Sequence, residues 1–148
     1  MNDDLDIRLK LFVYQTIAED GRPPTRNRIA KALQLSLATI GDSLTRLRSK
    51  RLLALAPDSG EIAMAPPFSA VPTPFQVHSD GKTFYANCVW DSYGIAAALH
   101  KDVVIETGCG CCGEPAWLKV TGGVPEPSNW VAHFAVPARH WWDDITFT

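Results

Sequence analysis

Four prolines crowd residues 66–74 of this 148-residue chain and separate two stretches of opposite charge. Proline fixes φ and has no amide donor, so this segment is predicted to be an extended linker or ordered strap. Residues 1–56 carry ten Lys/Arg and six Asp/Glu, a net charge of +4, whereas residues 57–148 carry four and ten, a net charge of −6. The pattern predicts two modules, 1–65 and 75–148, with different surfaces.

The first module is predicted to contain three helices and a β-hairpin. Apolar residues recur at three- and four-residue steps through 5–17, which indicates a helix with one buried face. Thr25 and Ser36 are candidate N-caps for two further helices. Two short apolar runs then flank a turn at 58–60. This order of elements is typical of a winged helix-turn-helix module.

The second module is predicted to be a small mixed α/β core with an antiparallel-rich sheet, which makes the whole chain α+β. One Ala-rich helix, apolar on most sides and therefore expected to be buried, is predicted at 89–100. His133 falls in an apolar run and is expected to be a core histidine. Strands are predicted at 75–78, 83–86, 103–106, 116–120 and 130–136, with one more element starting at 140.

The composition is that of an ordinary globular protein, with 46% hydrophobic and 20% charged residues. No apolar run approaches the roughly 20 residues that a membrane helix needs. The acidic N-terminus lacks the apolar core of a signal peptide. We therefore expect a cytoplasmic protein without a membrane partner, and the sequence does not set its oligomeric state.

The segment 85–91 contains the first candidate site. It places the thiol of Cys88 three residues before the carboxylate of Asp91, at the predicted start of a helix, so both side chains can lie on one helix face. A helix N-terminus favours anions and is expected to lower the thiol pKa. A thiolate is a soft ligand for mercury, Cu(I) or zinc, and a nearby carboxyl can move a proton. The alternative is a small buried Cys88 and a structural first-turn charge at Asp91.

A second cluster of thiols lies at Cys109, Cys111 and Cys112, where glycines allow a tight turn. Clustered cysteines in a cytoplasmic protein favour metal or thiolate chemistry over disulfides. A soft metal is one prediction for this loop. Zinc would need a fourth ligand, such as Cys88 or a histidine. A structural role is the other interpretation.

Several segments, taken in order, make the chain resemble the organomercurial (alkylmercury) lyase family. The resemblance covers most of the chain and depends on the motifs occurring together. The winged-helix prediction also fits, because that family joins such a module to its catalytic core. The matching segments are 64–69 (MAPPFS), 71–73 (VPT), 85–91 (YANCVWD), 94–95 (GI), 109–115 (CGCCGEP) and 137–145 (PARHWWDDI).

The resemblance implies protonolysis of a carbon–mercury bond, without an organic cofactor and with a role in mercury resistance. Cys88 matches the family cysteine that attacks mercury, and Asp91 matches the aspartate that deprotonates the thiols and then protonates the leaving carbon. Mercury(II) would be the product ion and an organomercurial the small-molecule substrate. Two soft sulfur donors weaken the mercury–carbon bond, and a positioned acid completes the hydrocarbon.

The family pattern also implies a second mercury-binding cysteine directly after a Phe-Thr pair like Phe147-Thr148. The printed sequence ends at Thr148. The expectation is therefore that the printed chain is a fragment or a truncated product, or that the second thiol comes from elsewhere, such as the 109–112 loop, and full lyase activity depends on that second thiol. A family member that binds mercury or another metal without turnover is one alternative.

A soft-metal-responsive transcriptional regulator is the other alternative. Basic residues cluster near the end of the third predicted helix, at Arg46, Arg48, Lys50 and Arg51, where they could contact DNA phosphates. They would also complement the helix C-terminus, and a solvated basic face is the commoner reason for such a cluster. DNA binding is therefore not the expected function, although it stays open as an alternative.

Overall fold

The computed structural model describes residues 2–145 and begins with three helices. The predicted caps are confirmed: Thr25 accepts a hydrogen bond from the Arg28 amide at 3.3 Å, and Ser36 accepts one from the Thr39 amide at 3.1 Å. Such side-chain oxygens satisfy amides that a helix start leaves without partners. The helices are α1 (Asn2–Asp20), α2 (Arg26–Leu33) and α3 (Leu37–Ser49).

The described strands form one antiparallel sheet that continues from the first half of the chain into the second. Its order is β1-β2-β3-β5-β4-β6-β7-β8, so an α+β fold with an antiparallel sheet is confirmed. The strands are β1 (Ala54–Leu55), β2 (Ile62–Ala65), β3 (Phe68–Ser69), β4 (Gln76–Ser79), β5 (Lys82–Ala86), β6 (Val103–Gly108), β7 (Pro115–Thr121) and β8 (Val124–Pro125).

The proline-rich segment contributes a strand to this sheet. β3 pairs with β2 through Ala65↔Phe68 and with β5 through Phe68↔Ala86. Residues 66–74 were predicted to form an extended linker or ordered strap, and this two-residue strand lies within that segment. The division into a winged-helix module and a core remains a prediction, with the sheet running across the predicted boundary.

Within residues 2–145, one hydrophobic core joins the helices to the sheet. The buried face of α1 contains Leu9, Val13 and Ile17, the residues that the three- and four-residue spacing places together. Truncating a buried leucine such as Leu9 to alanine typically costs about 2–5 kcal/mol. Other buried members of the same cluster are Ile29, Ile40, Leu44, Leu47, Phe68, Val77, Phe84, Ile95, Ile105 and Leu118.

A buried ion pair fixes α1 against α3. Asp6 is only 3% exposed and accepts hydrogen bonds from the Ser43 hydroxyl at 2.5 Å and from the Arg46 guanidinium at 2.7 and 3.1 Å. Lys50 reaches Asp3 at 2.9 Å. Two of the basic residues considered for DNA contact are therefore paired with carboxylates of α1.

The fourth helix, α4 (Val89–Leu99), starts three residues after β5 ends and lies over the sheet. Ser92, Ile95 and Ala96 form its buried side. The expectation that it would be buried on most sides is wrong, since Trp90 is 68% exposed. The helix ends at His100, whose left-handed backbone (φ 53°) closes the last turn.

The segment after β8 differs most from the sequence-based prediction. Residues 130–136 form no strand, and His133 is exposed rather than in the core. A short 3-10 helix, Ala138–His140, follows. One more element was expected to start at residue 140. Its last residues, 146–148, which include the Phe147-Thr148 pair, lie outside the described residues.

Among residues 2–145, no helix is both long enough and apolar enough to cross a membrane.

Candidate active site

Cys88 caps the N-terminus of α4. Its backbone is extended (φ −155°, ψ 178°), and its Sγ accepts a hydrogen bond from the Asp91 amide at 3.4 Å. The sulfur therefore occupies the place that a serine or aspartate oxygen usually takes at a helix start. This position exposes the sulfur to the partial positive charge of the helix N-terminus.

Asp91 lies in the first turn of the same helix, as predicted. Its carboxylate accepts a hydrogen bond from the side-chain amide of Asn87 at 2.9 Å. The Asp91 backbone amide contacts the Cys88 sulfur, and the charge of Asp91 acts on that sulfur. The structure therefore brings the thiol and the carboxyl group together within one helical turn.

Burial dominates the ionisation of both groups. It raises the pKa of the Cys88 thiol, while the Asp91 and Trp90 amides lower that pKa by a smaller amount and the Asp91 charge raises it further. The expectation that the helix N-terminus would lower the thiol pKa is therefore wrong in its net direction. Burial also raises the pKa of Asp91, and the hydrogen bond from Asn87 partly offsets this change. Both groups are thus biased toward holding a proton.

The proline strap lies against the start of α4. The Asn87 amide, which holds Asp91, also donates to the Pro67 carbonyl at 3.4 Å. A Cβ added at Gly94 would stand 3.0 Å from the Pro67 Cβ, so glycine allows the strap to approach the helix. The strap therefore packs directly against α4 and against the side chain that holds Asp91.

Helix α1 contacts the strap through Tyr14. Its hydroxyl donates to the Pro66 carbonyl at 2.6 Å, and its ring packs edge-on against Phe68. Burial raises the pKa of Tyr14, and the charge of Asp91 raises it further. Tyr14 thus lies within the electrostatic reach of Asp91, although it is 77 positions earlier in the sequence.

Sequence reasoning missed these supporting residues. Asn87 and Pro67 belonged to the matching segments 85–91 and 64–69 but received no role, and Tyr14 was only part of the first predicted helix. The side-chain oxygen of Asn87 is buried and has no hydrogen-bond partner among the described residues. A polar residue directly before a candidate nucleophile was the available signal for Asn87. No local pattern indicated Tyr14.

The three remaining cysteines lie in the turn between β6 and β7. The Cys109 amide donates to the Glu114 carbonyl at 2.8 Å, and the Gly113 amide donates to the Cys109 carbonyl at 2.9 Å. Cys111 and Cys112 are exposed. The Cys112 and Cys111 amides, followed by the Cys112 thiol, lower the pKa of Cys109.

The zinc site considered for this turn is not supported. Among residues 2–145, no three or more His, Cys, Asp and Glu side chains are grouped so that they could hold a metal ion. Neither Cys88 nor a histidine completes a four-ligand set with Cys109, Cys111 and Cys112. Zinc needs such a set, so the turn is not a preformed zinc site.

The chain is similar to known proteins in its family sequence pattern and in its fold. The family model described as MerB, alkylmercury lyase, matches residues 68–148. No curated protein matches the chain by sequence. A solved structure described as the mercury-bound form of MerB2 has the same fold, with a TM-score of 0.67 and 22% sequence identity. The match covers 84% of this chain and 59% of that protein.

Proposed function

The chain belongs to the alkylmercury lyase family, since the family model matches more than half of it, and we propose that it cleaves carbon–mercury bonds with Cys88 and Asp91. The observation that carries the proposal is the hydrogen-bonded turn that brings a half-buried thiol and a half-buried carboxyl group together. Because the chain spans 59% of the length of the mercury-bound relative, the activity of the whole protein is part of the proposal.

The first proposed step is capture of mercury by Cys88. Mercury is a soft ion that prefers sulfur, so the sulfur forms a bond to the mercury of an organomercurial. The thiol proton must leave at this point, and Asp91 is placed to receive it. A raised Asp91 pKa supports this role, because a carboxyl group of ordinary pKa would hold a proton poorly near neutral pH.

The second proposed step is protonation of carbon. A second thiolate binds mercury and weakens the mercury–carbon bond, and Asp91 then delivers its proton to the carbon. The electron pair of the broken mercury–carbon bond forms the new carbon–hydrogen bond. The products are a hydrocarbon and mercury(II) held by two sulfurs, with no change in the oxidation state of mercury.

Benzene release from phenylmercury tests the proposal directly. The full-length protein is incubated with phenylmercury and excess monothiol, which can supply the second sulfur, and benzene is measured by gas chromatography. Cys88→Ser and Asp91→Asn should each abolish release, whereas Cys111→Ser, at an exposed thiol outside the site, should retain it. Benzene at the level of the thiol-only blank in the parent protein contradicts the proposal.

The two alternatives predict different results. A non-catalytic family member would bind phenylmercury through Cys88 and release no benzene. A DNA-binding regulator would show DNA binding that changes with metal, whatever the benzene result. Because Arg46 and Lys50 are paired with Asp6 and Asp3, such binding would depend on Arg48 and Arg51.

A further inference from the structure

The turn between β6 and β7 presents a pair of thiols. A hydrogen bond from the Gly113 amide to the Cys109 carbonyl, 2.9 Å long, closes a single helix-like turn. In such a turn, residues three apart lie on the same side. Cys109 and Cys112 have this spacing, and the Cys112 thiol is one of the groups that lower the pKa of the Cys109 thiol. Cys111, by contrast, is not at this spacing from Cys109.

Strand register places this turn and Cys88 at the same end of the sheet, beyond the last residues of β6 and β5. Gln76 of β4 pairs with Tyr85 of β5 on one side and with Glu106 of β6 on the other. Cys88 and Cys109 each follow three residues after a member of this row. Their strands run in the same direction with β4 between them, so the strand axes are about 10 Å apart.

We propose that Cys109 and Cys112 form a two-thiol acceptor for mercury(II), which takes the ion from Cys88 after the carbon–mercury bond is cleaved. The inference deepens the proposed function and depends on it for the source of the ion. Mercury(II) needs only two soft sulfur donors, so the pair is sufficient where zinc would need four ligands. The pair is held in place by the short hairpin, in which the Cys109 amide donates a 2.8 Å hydrogen bond to the Glu114 carbonyl.

The transfer is an exchange of thiolates on mercury. The Cys109 thiolate bonds to the ion, the bond to Cys88 breaks, and the Cys88 sulfur leaves as a thiolate that takes up a proton. Cys112 then displaces the other sulfur ligand, and the proton of Cys112 passes to the thiolate that leaves. Each bond formed replaces a mercury–sulfur bond broken, and nothing is oxidised or reduced.

Mercury(II) titration of Cys88→Ser variants of the full-length protein tests the site separately from the lyase reaction. Mercuric chloride is added in the presence of a monothiol, and the retained metal and its thiolate absorption in the ultraviolet are measured after desalting. Cys88→Ser should retain about one equivalent of mercury. Adding Cys112→Ser should weaken retention by roughly 100-fold or more, because one of two linked ligands is lost. Adding Cys111→Ser, a neighbouring exposed thiol, should leave retention unchanged.

Three results would overturn the inference. The first is no mercury retention by Cys88→Ser, and the second is an equal loss of retention from adding Cys111→Ser or Cys112→Ser. The third concerns benzene release at limiting monothiol, where Cys112→Ser is expected to turn over more slowly than the parent protein after a normal first turnover; equal steady-state rates would contradict the inference. If the parent protein releases no benzene but the pair retains mercury, the proposed lyase function fails while the two-thiol site stands.

Discussion

Asn87 holds the carboxylate of Asp91 through a 2.9 Å hydrogen bond from its side-chain amide, across the first turn of α4. The same amide contacts the Pro67 carbonyl at 3.4 Å, so one side chain links the carboxyl group to the strap. In the proposed reaction, Asp91 must carry a proton to a defined carbon atom. The orientation that Asn87 imposes is therefore expected to affect the rate.

Asn87→Ala should slow benzene release by roughly 10- to 100-fold, the usual effect of removing a residue that orients an active group. The Asn87 hydrogen bond lowers the pKa of Asp91, so its loss should raise that pKa further and shift the acid limb of the pH–rate profile to higher pH. A pH series of kcat/KM measures both effects. Asn27→Ala, at an exposed position of α2, is the matched control, and an unchanged profile in Asn87→Ala would contradict the role.

Cys88→Ser should separate the chemical role of the sulfur from its structural role. Serine is a preferred N-cap, so the free energy of unfolding should stay within about 1 kcal/mol of the parent value. Mercury capture at this position and benzene release should both be lost, because a hydroxyl is a poor ligand for a soft ion. Urea denaturation and the benzene assay test the two halves. A large loss of stability would indicate that Cys88 is mainly a packing residue.

Asp6→Ala should destabilise the packing of α1 against α3. It removes the buried acceptor of the Ser43 hydroxyl and the Arg46 guanidinium, at a cost of about 1–3 kcal/mol. This cost in stability is modest because Arg46 is 31% exposed, so solvent partly screens its charge. Urea denaturation at pH 7 measures the loss. Asp4→Ala, at an exposed carboxylate of the same helix, should change stability by only about 0.5 kcal/mol.

The ion pair between Asp6 and Arg46 also predicts how the free energy of unfolding depends on pH. The hydrogen bond from Arg46 is the main cause that lowers the pKa of Asp6 in the folded protein. A lowered folded-state pKa stabilises the fold above the unfolded value, about 3.9, and this contribution is lost as the pH falls further through the folded value. The gap in stability between the parent and Asp6→Ala should therefore narrow below about pH 4. A gap that is constant from pH 7 to pH 2 would contradict the assignment.

Gly94→Ala should disturb the strap more than the helix. The new Cβ would stand 3.0 Å from the Pro67 Cβ, and such overpacking costs about 1–3 kcal/mol. Alanine regains up to about 1 kcal/mol of helix propensity, so the net loss of stability should be small. Displacement of Pro67 should nevertheless slow benzene release through Asn87 and Asp91. Ala97→Gly, at an exposed position of α4, controls for propensity and should not affect the rate.

The regular elements were predictable because their signals are local. Apolar spacing indicated α1, capping residues marked the starts of α2 and α3, and a turn separated β4 from β5. The prediction of a strand at 130–136 was wrong for a related reason. An apolar run becomes a strand only with a neighbouring strand, and within the described residues this segment has none, so Val131 is 87% exposed.

Only the part of the candidate site whose residues are close in the sequence could be predicted. Cys88 and Asp91 stand three residues apart, so helical geometry alone brings them together. The contact of Tyr14 with Pro66 joins residues 52 positions apart, and β3 depends on pairing with both β2 and β5. The direction of the Cys88 pKa shift also depended on burial, which cannot be inferred from the spacing of residues 88–91.

A single-turnover experiment with phenylmercury tests the central claim most directly. The parent protein and Asp91→Asn are each mixed in excess over phenylmercury with monothiol present, and protein-bound mercury and benzene are followed together. The account predicts that both proteins capture mercury, Asp91→Asn more slowly because it lacks the acceptor of the thiol proton. Benzene should be released by the parent protein alone, because only Asp91 supplies the proton to carbon. Benzene release from Asp91→Asn at the parent rate would contradict the account.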